Sequence, residues 1–84
     1  MSRYYFDTHD GSNFSYDQYG MECGMQELRN QAIRSLREMA DEELPDGPYH
    51  RFWIKVRDAD GKYVFEASLE LKSGWVSRDT EEAG

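Results

Sequence analysis

The sequence is poor in cysteine, proline and positive charge, and it has no long apolar run. Cys23 is the only cysteine, which excludes an internal disulfide and any zinc site built from several thiolates. Both prolines, Pro45 and Pro48, fall in one short stretch, "LPDGPY", so the rest of the chain is free to form regular structure. Ten Lys and Arg residues stand against 17 Asp and Glu, for a formal net charge of −7. The acidic excess lies in the first 44 residues and after residue 72, and the stretch between is balanced. Without a basic block, such a chain repels phosphate backbones and anionic membrane surfaces alike. No apolar run approaches the roughly 20 residues that cross a bilayer. No basic-then-apolar opening marks a signal peptide, so the expected location is cytoplasmic.

What the chain does have is aromatics, at 14% of 84 residues, within a hydrophobic total of 38%. That is enough for one small core. A domain of this size buries only about 60% of its unfolded surface, which favours self-association. Residues 1–72 are expected to form a single domain, and 73–84 a polar, acidic, mobile tail.

Residues 3–8 are rich in strand-favouring aromatics and predict a first strand. Asp10-Gly11 reads as a two-residue hairpin turn, with residues 12–16 returning as a second strand. Asp17 and Gly20 then suit the first and fourth positions of another turn. Met25, Leu28, Ala32, Leu36, Met39 and Ala40 recur at helical spacing, and Ile33 widens the stripe. Gly24 falls at the N-cap, with Cys23 and Leu28 placed as a hydrophobic staple. The helix is expected to end near Glu43 or Leu44, ahead of Pro45.

The segment "HRFWIKVRDADGKYVFEASLELK" reads as two alternating strands around Asp60-Gly61. A two-residue turn there sets Phe52 against Leu69, Ile54 against Ala67 and Val56 against Phe65. On the other face it sets Arg51 against Glu70, Lys55 against Glu66 and Trp53 against Ser68. Apolar residues meet apolar ones and bases meet acids, as cross-strand stability requires. The predicted fold class is α+β: a ββαββ chain with one helix packed on a four-stranded, mainly antiparallel sheet. Two strand orders stay open, a β-grasp-like order with a parallel central pair and a fully antiparallel one. Tyr4 and Phe6 are assigned to the helix side. Tyr5, Asp7, Arg51, Trp53, Lys55, Val64 and Glu66 are assigned to the uncovered face.

The opening "RYYFDTHDG", the D-x-x-G-x-E at Asp17, Gly20 and Glu22, the helix, and the V-R-D-x-D-G at Val56 to Gly61 together resemble a group of short bacterial proteins. These are catalogued as a domain of unknown function. The resemblance covers about residues 2–71 and implies no activity, so no catalytic residue is carried over from it. Where that family tends to have Pro-Asp before the helix, this chain has Cys23-Gly24.

No other motif names a chemistry. Asp7, His9 and Asp10 carry carboxylate and imidazole groups that can ligate a divalent cation, but they lie around a turn without a second element to complete a shell. They are the candidates for a metal site or a small metal-dependent enzyme. "DADG" resembles part of a calcium loop, yet the first and twelfth positions would be Val56 and Ala67, which cannot coordinate through their side chains. His50 is expected to be half-buried and hydrogen-bonded. Cys23, beside a helix start, is either a thiol of lowered pKa or an inert packing residue. No catalytic constellation and no cofactor motif is present, so a non-enzymatic protein is expected.

The uncovered face is the candidate interaction surface, through Tyr5, Asp7, Arg51, Trp53 and Lys55, for a protein partner or a second copy, and an exposed edge strand is the other expected route to a homodimer. Trp75 and the tail are the alternative cover for Trp53. Arg51, Trp53, Lys55 and Arg57 also form a stripe suited to weak nucleic-acid binding, which Glu66 and Glu70 oppose.

Overall fold

The computed structural model describes residues 2–42 and 47–77. The elements are β1 (Ser2–His9), β2 (Phe14–Ser15), β3 (Met21–Cys23), α1 (Met25–Glu42), β4 (Tyr49–Arg57) and β5 (Tyr63–Lys72). One helix lies on a mainly antiparallel sheet, an α+β architecture. Its strand order is β2-β1-β4-β5, with β3 also pairing β1. β1 runs antiparallel to β4, from Tyr5 opposite Arg57 to His9 opposite Trp53. That pairing settles the order in favour of the antiparallel alternative and excludes the β-grasp-like one.

The helix starts where its apolar stripe does. The Leu28 N–H donates to the Gly24 carbonyl at 2.9 Å, which makes Gly24 the N-cap. Cys23 and Leu28 are both buried, consistent with the staple. Leu28, Ala32 and Leu36 pack with Phe52, Ile54 and Val56 into the core, with Tyr4, Phe6, Met39, Phe65 and Ala67 around it. Met25, assigned to the stripe from its spacing, is instead 63% exposed. The expected end of the helix at Glu43 or Leu44 lies outside the described residues.

Both hairpin turns are longer than their sequences suggest. His9 pairs with Phe14, so residues 10–13 form the first loop. Asp10 closes it with its own side chain, Oδ1 accepting the N–H groups of Ser12 at 2.9 Å and Asn13 at 2.7 Å. Gly11 is required there. Its φ is +99°, and a side chain would run into the His50 ring.

In the second hairpin the expected pairs hold from Arg51–Glu70 to Val56–Phe65. Beyond Val56 the register shifts, so that Tyr63, not Val64, stands opposite Arg57. Residues 58–62 make the turn, with the Asp58 N–H donating to the Lys62 carbonyl at 2.8 Å. Asp58 Oδ1 accepts the N–H groups of Asp60 at 3.0 Å and Lys62 at 2.9 Å. The "DADG" carboxylate is therefore a turn-forming group.

β3 was not expected. After β2 the chain leaves β1, rounds residues 16–20 and returns to pair Ser2–Tyr4. Asp17 bridges the gap. Its Oδ2 accepts the Phe6 N–H at 2.9 Å, standing in for the missing strand partner, while Oδ1 accepts Tyr19 N–H and Gly20 N–H.

Candidate functional site

Strand alternation puts Tyr5, Asp7 and His9 on the face away from the helix, where β4 presents Trp53, Lys55 and Arg57 beside them. Two neighbouring clusters result, one closed and one open.

The closed cluster centres on Asp7. Sequence alternation assigned it to the solvated face, yet it is fully buried, at 0% exposure. The Arg57 guanidinium grips it as a fork, Nε to Oδ2 at 2.8 Å and Nη2 to Oδ1 at 3.0 Å. The Tyr63 hydroxyl donates to Oδ2 at 2.8 Å, and the Asp17 N–H to Oδ1 at 3.0 Å. Arg57 Nη2 also donates to the Asp17 carbonyl at 2.7 Å. The guanidinium lies 3.9 Å from the centre of the Tyr16 ring and 4.9 Å from that of Tyr5. Burial thus comes from a roof of aromatic rings and a saturated set of donors.

The electrostatics agree with the geometry. Burial pushes the Asp7 carboxyl up, but its bonds from Arg57, Asp17 and Tyr63 outweigh that and hold it below the ordinary value. Burial likewise raises Asp17, and the N–H groups of Phe6, Gly20 and Tyr19 bring it lower on balance. The bond to Asp7 pushes Tyr63 up. A carboxylate accepting four hydrogen bonds with no solvent contact has no lone pair left for a metal or a proton relay. This is a structural ion pair.

The other sequence candidates are separately occupied. Asp10 holds its own turn. His9 Nδ1 accepts the Gly11 N–H at 3.0 Å, and its ring stacks on Trp53 with centroids 5.3 Å apart. Asp7, His9 and Asp10 do not converge, and among the described residues no group of three or more His, Cys, Asp or Glu is placed to hold a metal ion. His50 is half-buried, as expected, bonded through Nε2 to the Asp10 carbonyl and lying 4.6 Å from the Phe52 ring. The Cys23 thiol is pushed up by burial and by Glu27, so it is a packing residue rather than an activated thiol.

The open cluster centres on Trp53. His9 covers part of its ring, Phe14 lies 5.8 Å away and is 52% exposed, and the Lys55 ammonium sits 5.1 Å from the ring centre. A shallow groove of about 290 Å³ runs beside it, lined by Arg51, Trp53, Lys55, Glu66 and Ser68. The expected charge matches are opposite in register, yet they are not ion pairs: Arg57–Asp7 is the one salt bridge found among the described residues. Glu70 instead accepts the Tyr49 hydroxyl at 2.8 Å. Trp75 does not cover this cluster, being 93% exposed. Of the expected surface, Arg51, Trp53 and Lys55 remain available, Tyr5 is half-buried over Arg57, and Asp7 is withdrawn.

Sequence reasoning missed Tyr16, Asp17 and Tyr63 as partners of the buried pair and placed Arg57 on the accessible stripe. One signal was present: Asp58 suits the first position of a turn ending at Gly61, which lengthens the loop beyond two residues. No helix among the described residues is long and apolar enough to cross a membrane. No curated protein and no solved structure matches the chain. A family model described as Domain of unknown function (DUF6894) matches residues 3–70, and the chain belongs to that family.

Proposed function

We propose that the chain is a non-enzymatic protein-interaction module that engages its partner through Trp53, Phe14, Arg51 and Lys55. One observation carries this reading. Two basic side chains flank an aromatic platform and a groove without being paired to the acids opposite them in the sheet. Aromatic anchors beside free cations are what binding surfaces use, and Arg and Trp are over-represented among the residues that dominate binding. The closed cluster next to it supplies rigidity, fixing the strands that carry Trp53 and Lys55. The fitting partner is a protein segment presenting an apolar side chain next to a carboxylate. A polyanion fits less well, because Arg57 is locked to Asp7 and Glu66 lines the groove.

Peptide-library selection against a Trp75→Phe background, in which Trp53 is the sole tryptophan, tests this. Selected peptides should share a carboxylate beside an apolar residue, shift Trp53 emission, and lose at least about tenfold in affinity on Trp53→Ala or Arg51→Ala. Ligands that bind Trp53→Ala equally well sink the reading. A single-stranded oligonucleotide that outbinds every peptide replaces it with the nucleic-acid alternative.

A further inference from the structure

The sheet has two unlike edges. One is built from β2 and β3, of two and three residues, and it is interrupted by the Asp17 loop. The other is β5, ten residues long and paired only to β4 among the described residues. Long exposed edges are templates for another strand unless something blunts them. On β5 the blunting is confined to the start of the strand, where Val64 is left out of the register. Residues 65–72 remain as a regular edge with no further strand beside it among the described residues. Leu69 and Leu71 lie on the helix side of it, yet they are 39% and 42% exposed, beyond the cover that buries Phe52.

We infer that β5 pairs antiparallel with β5 of a second copy of this chain, about a twofold axis at Leu69. A twofold axis perpendicular to the sheet keeps helix-side residues opposite helix-side residues, so the axis must pass through a residue, and the candidates are few. An axis at Ala67 carries the ladder into the bulge, with Val64 facing Glu70 of the second copy. An axis at Ser68 sets Glu66 against the second copy's Glu70, and one at Glu70 sets that acid against itself. An axis at Leu71 pairs only the last few residues and leaves Leu69 uncovered.

With the axis at Leu69, Glu66 faces Lys72 of the second copy, and Lys72 faces its Glu66. Ser68 faces Glu70, Ala67 faces Leu71, and Leu69 meets its own copy. Opposite charges pair twice, no like charges meet, and the exposed leucines join into one strip between two helices on the same side. The two Trp53 surfaces then lie on one continuous face. This inference goes beyond the open-face reading and does not depend on it.

Sedimentation equilibrium of the full chain up to about 500 µM tests it. The wild type should dimerise. Glu66→Lys and Lys72→Glu should each weaken the dimer about tenfold, by turning two attractive pairs into repulsive ones. The combined E66K/K72E should return to near wild-type affinity, and Leu69→Lys should leave a folded monomer by circular dichroism. Trp53→Ala should dimerise like the wild type, which separates this edge from the open face. A monomer at the highest concentration overturns the inference. So does a double swap no better than the single ones, or a Trp53→Ala variant that loses the dimer.

Discussion

The two faces of the sheet are held by different physics. Under the helix, Phe52, Ile54 and Val56 meet Leu28, Ala32 and Leu36 in a core where every contact is apolar and non-directional. On the other face, one carboxylate and one guanidinium are buried together, and five hydrogen bonds among Asp7, Arg57, Tyr63 and Asp17 set their geometry. The first arrangement tolerates small losses in proportion to the atoms removed. The second is all-or-none, because removing one partner strands the other in a low-dielectric site.

That contrast is sharpest at Asp7. Asp7→Ala leaves Arg57 buried without a counter-charge and should cost about 3–5 kcal/mol. Urea denaturation would show this as a lowered midpoint. Arg57→Met in the same chain should recover more than about 1 kcal/mol of the loss, since the stranded charge is then gone too. On the helix side, Leu28→Ala should cost about 2–5 kcal/mol, with no second substitution on the opposite face able to restore it. A loss under about 1 kcal/mol for Asp7→Ala would end the comparison, because the pair would then be a surface contact in its energetics.

The faces also differ in how far the sequence discloses them. Alternation at Phe52, Ile54, Val56, Phe65 and Ala67 identifies the helix side without any knowledge of strand order, since the period-two signal is local. The same alternation assigns Asp7 to the correct face but not its burial. Burial there depends on Arg57 and Tyr63, 50 and 56 residues away. It also needs the register shift that brings Tyr63 rather than Val64 opposite Arg57. A bulge of one residue is invisible to a pattern that counts faces, because a two-residue turn and a longer turn plus bulge give the same pairs from Val56 outward. Asp17 is a similar case. Its turn is legible from its spacing to Gly20, but its service to the Phe6 N–H is a contact across the fold.

Smaller perturbations separate the faces more finely. Gly11→Ala should cost at least about 1 kcal/mol, through its positive φ and the crowding against His50, and should loosen the first hairpin. Amide exchange at Ser12 and Asn13 would report it before the global midpoint moves. Tyr63→Phe removes one donor to the buried carboxylate and leaves the ring in place. It should cost about 1 kcal/mol, less than the roughly 1.5–3 kcal/mol of a well-buried bond to a charged group, because Tyr63 is half-exposed.

The finest distinction is a slope rather than a midpoint. Asp7 in the folded chain is held below its ordinary value of 3.8, its bonds from Arg57, Asp17 and Tyr63 outweighing the upward push of burial. As the pH falls through that ordinary value, the unfolded chain takes up a proton that the folded chain refuses. Stability is therefore fully present above it and is lost as the pH drops toward the folded value. Asp17 acts in the same direction. In the D7A/R57M chain the Asp17 share remains, with that of Asp10, whose carboxyl is held down by the N–H groups of Asn13 and Ser12, so its stability should fall less steeply than that of the wild type as the pH drops below about 4. The apolar Leu28→Ala variant removes no titrating group and should run parallel to the wild type over the same range. Parallel limbs for all three chains would mean that the Asp7 carboxylate gains nothing from its partners, and the distinction between the two faces would reduce to one of shape.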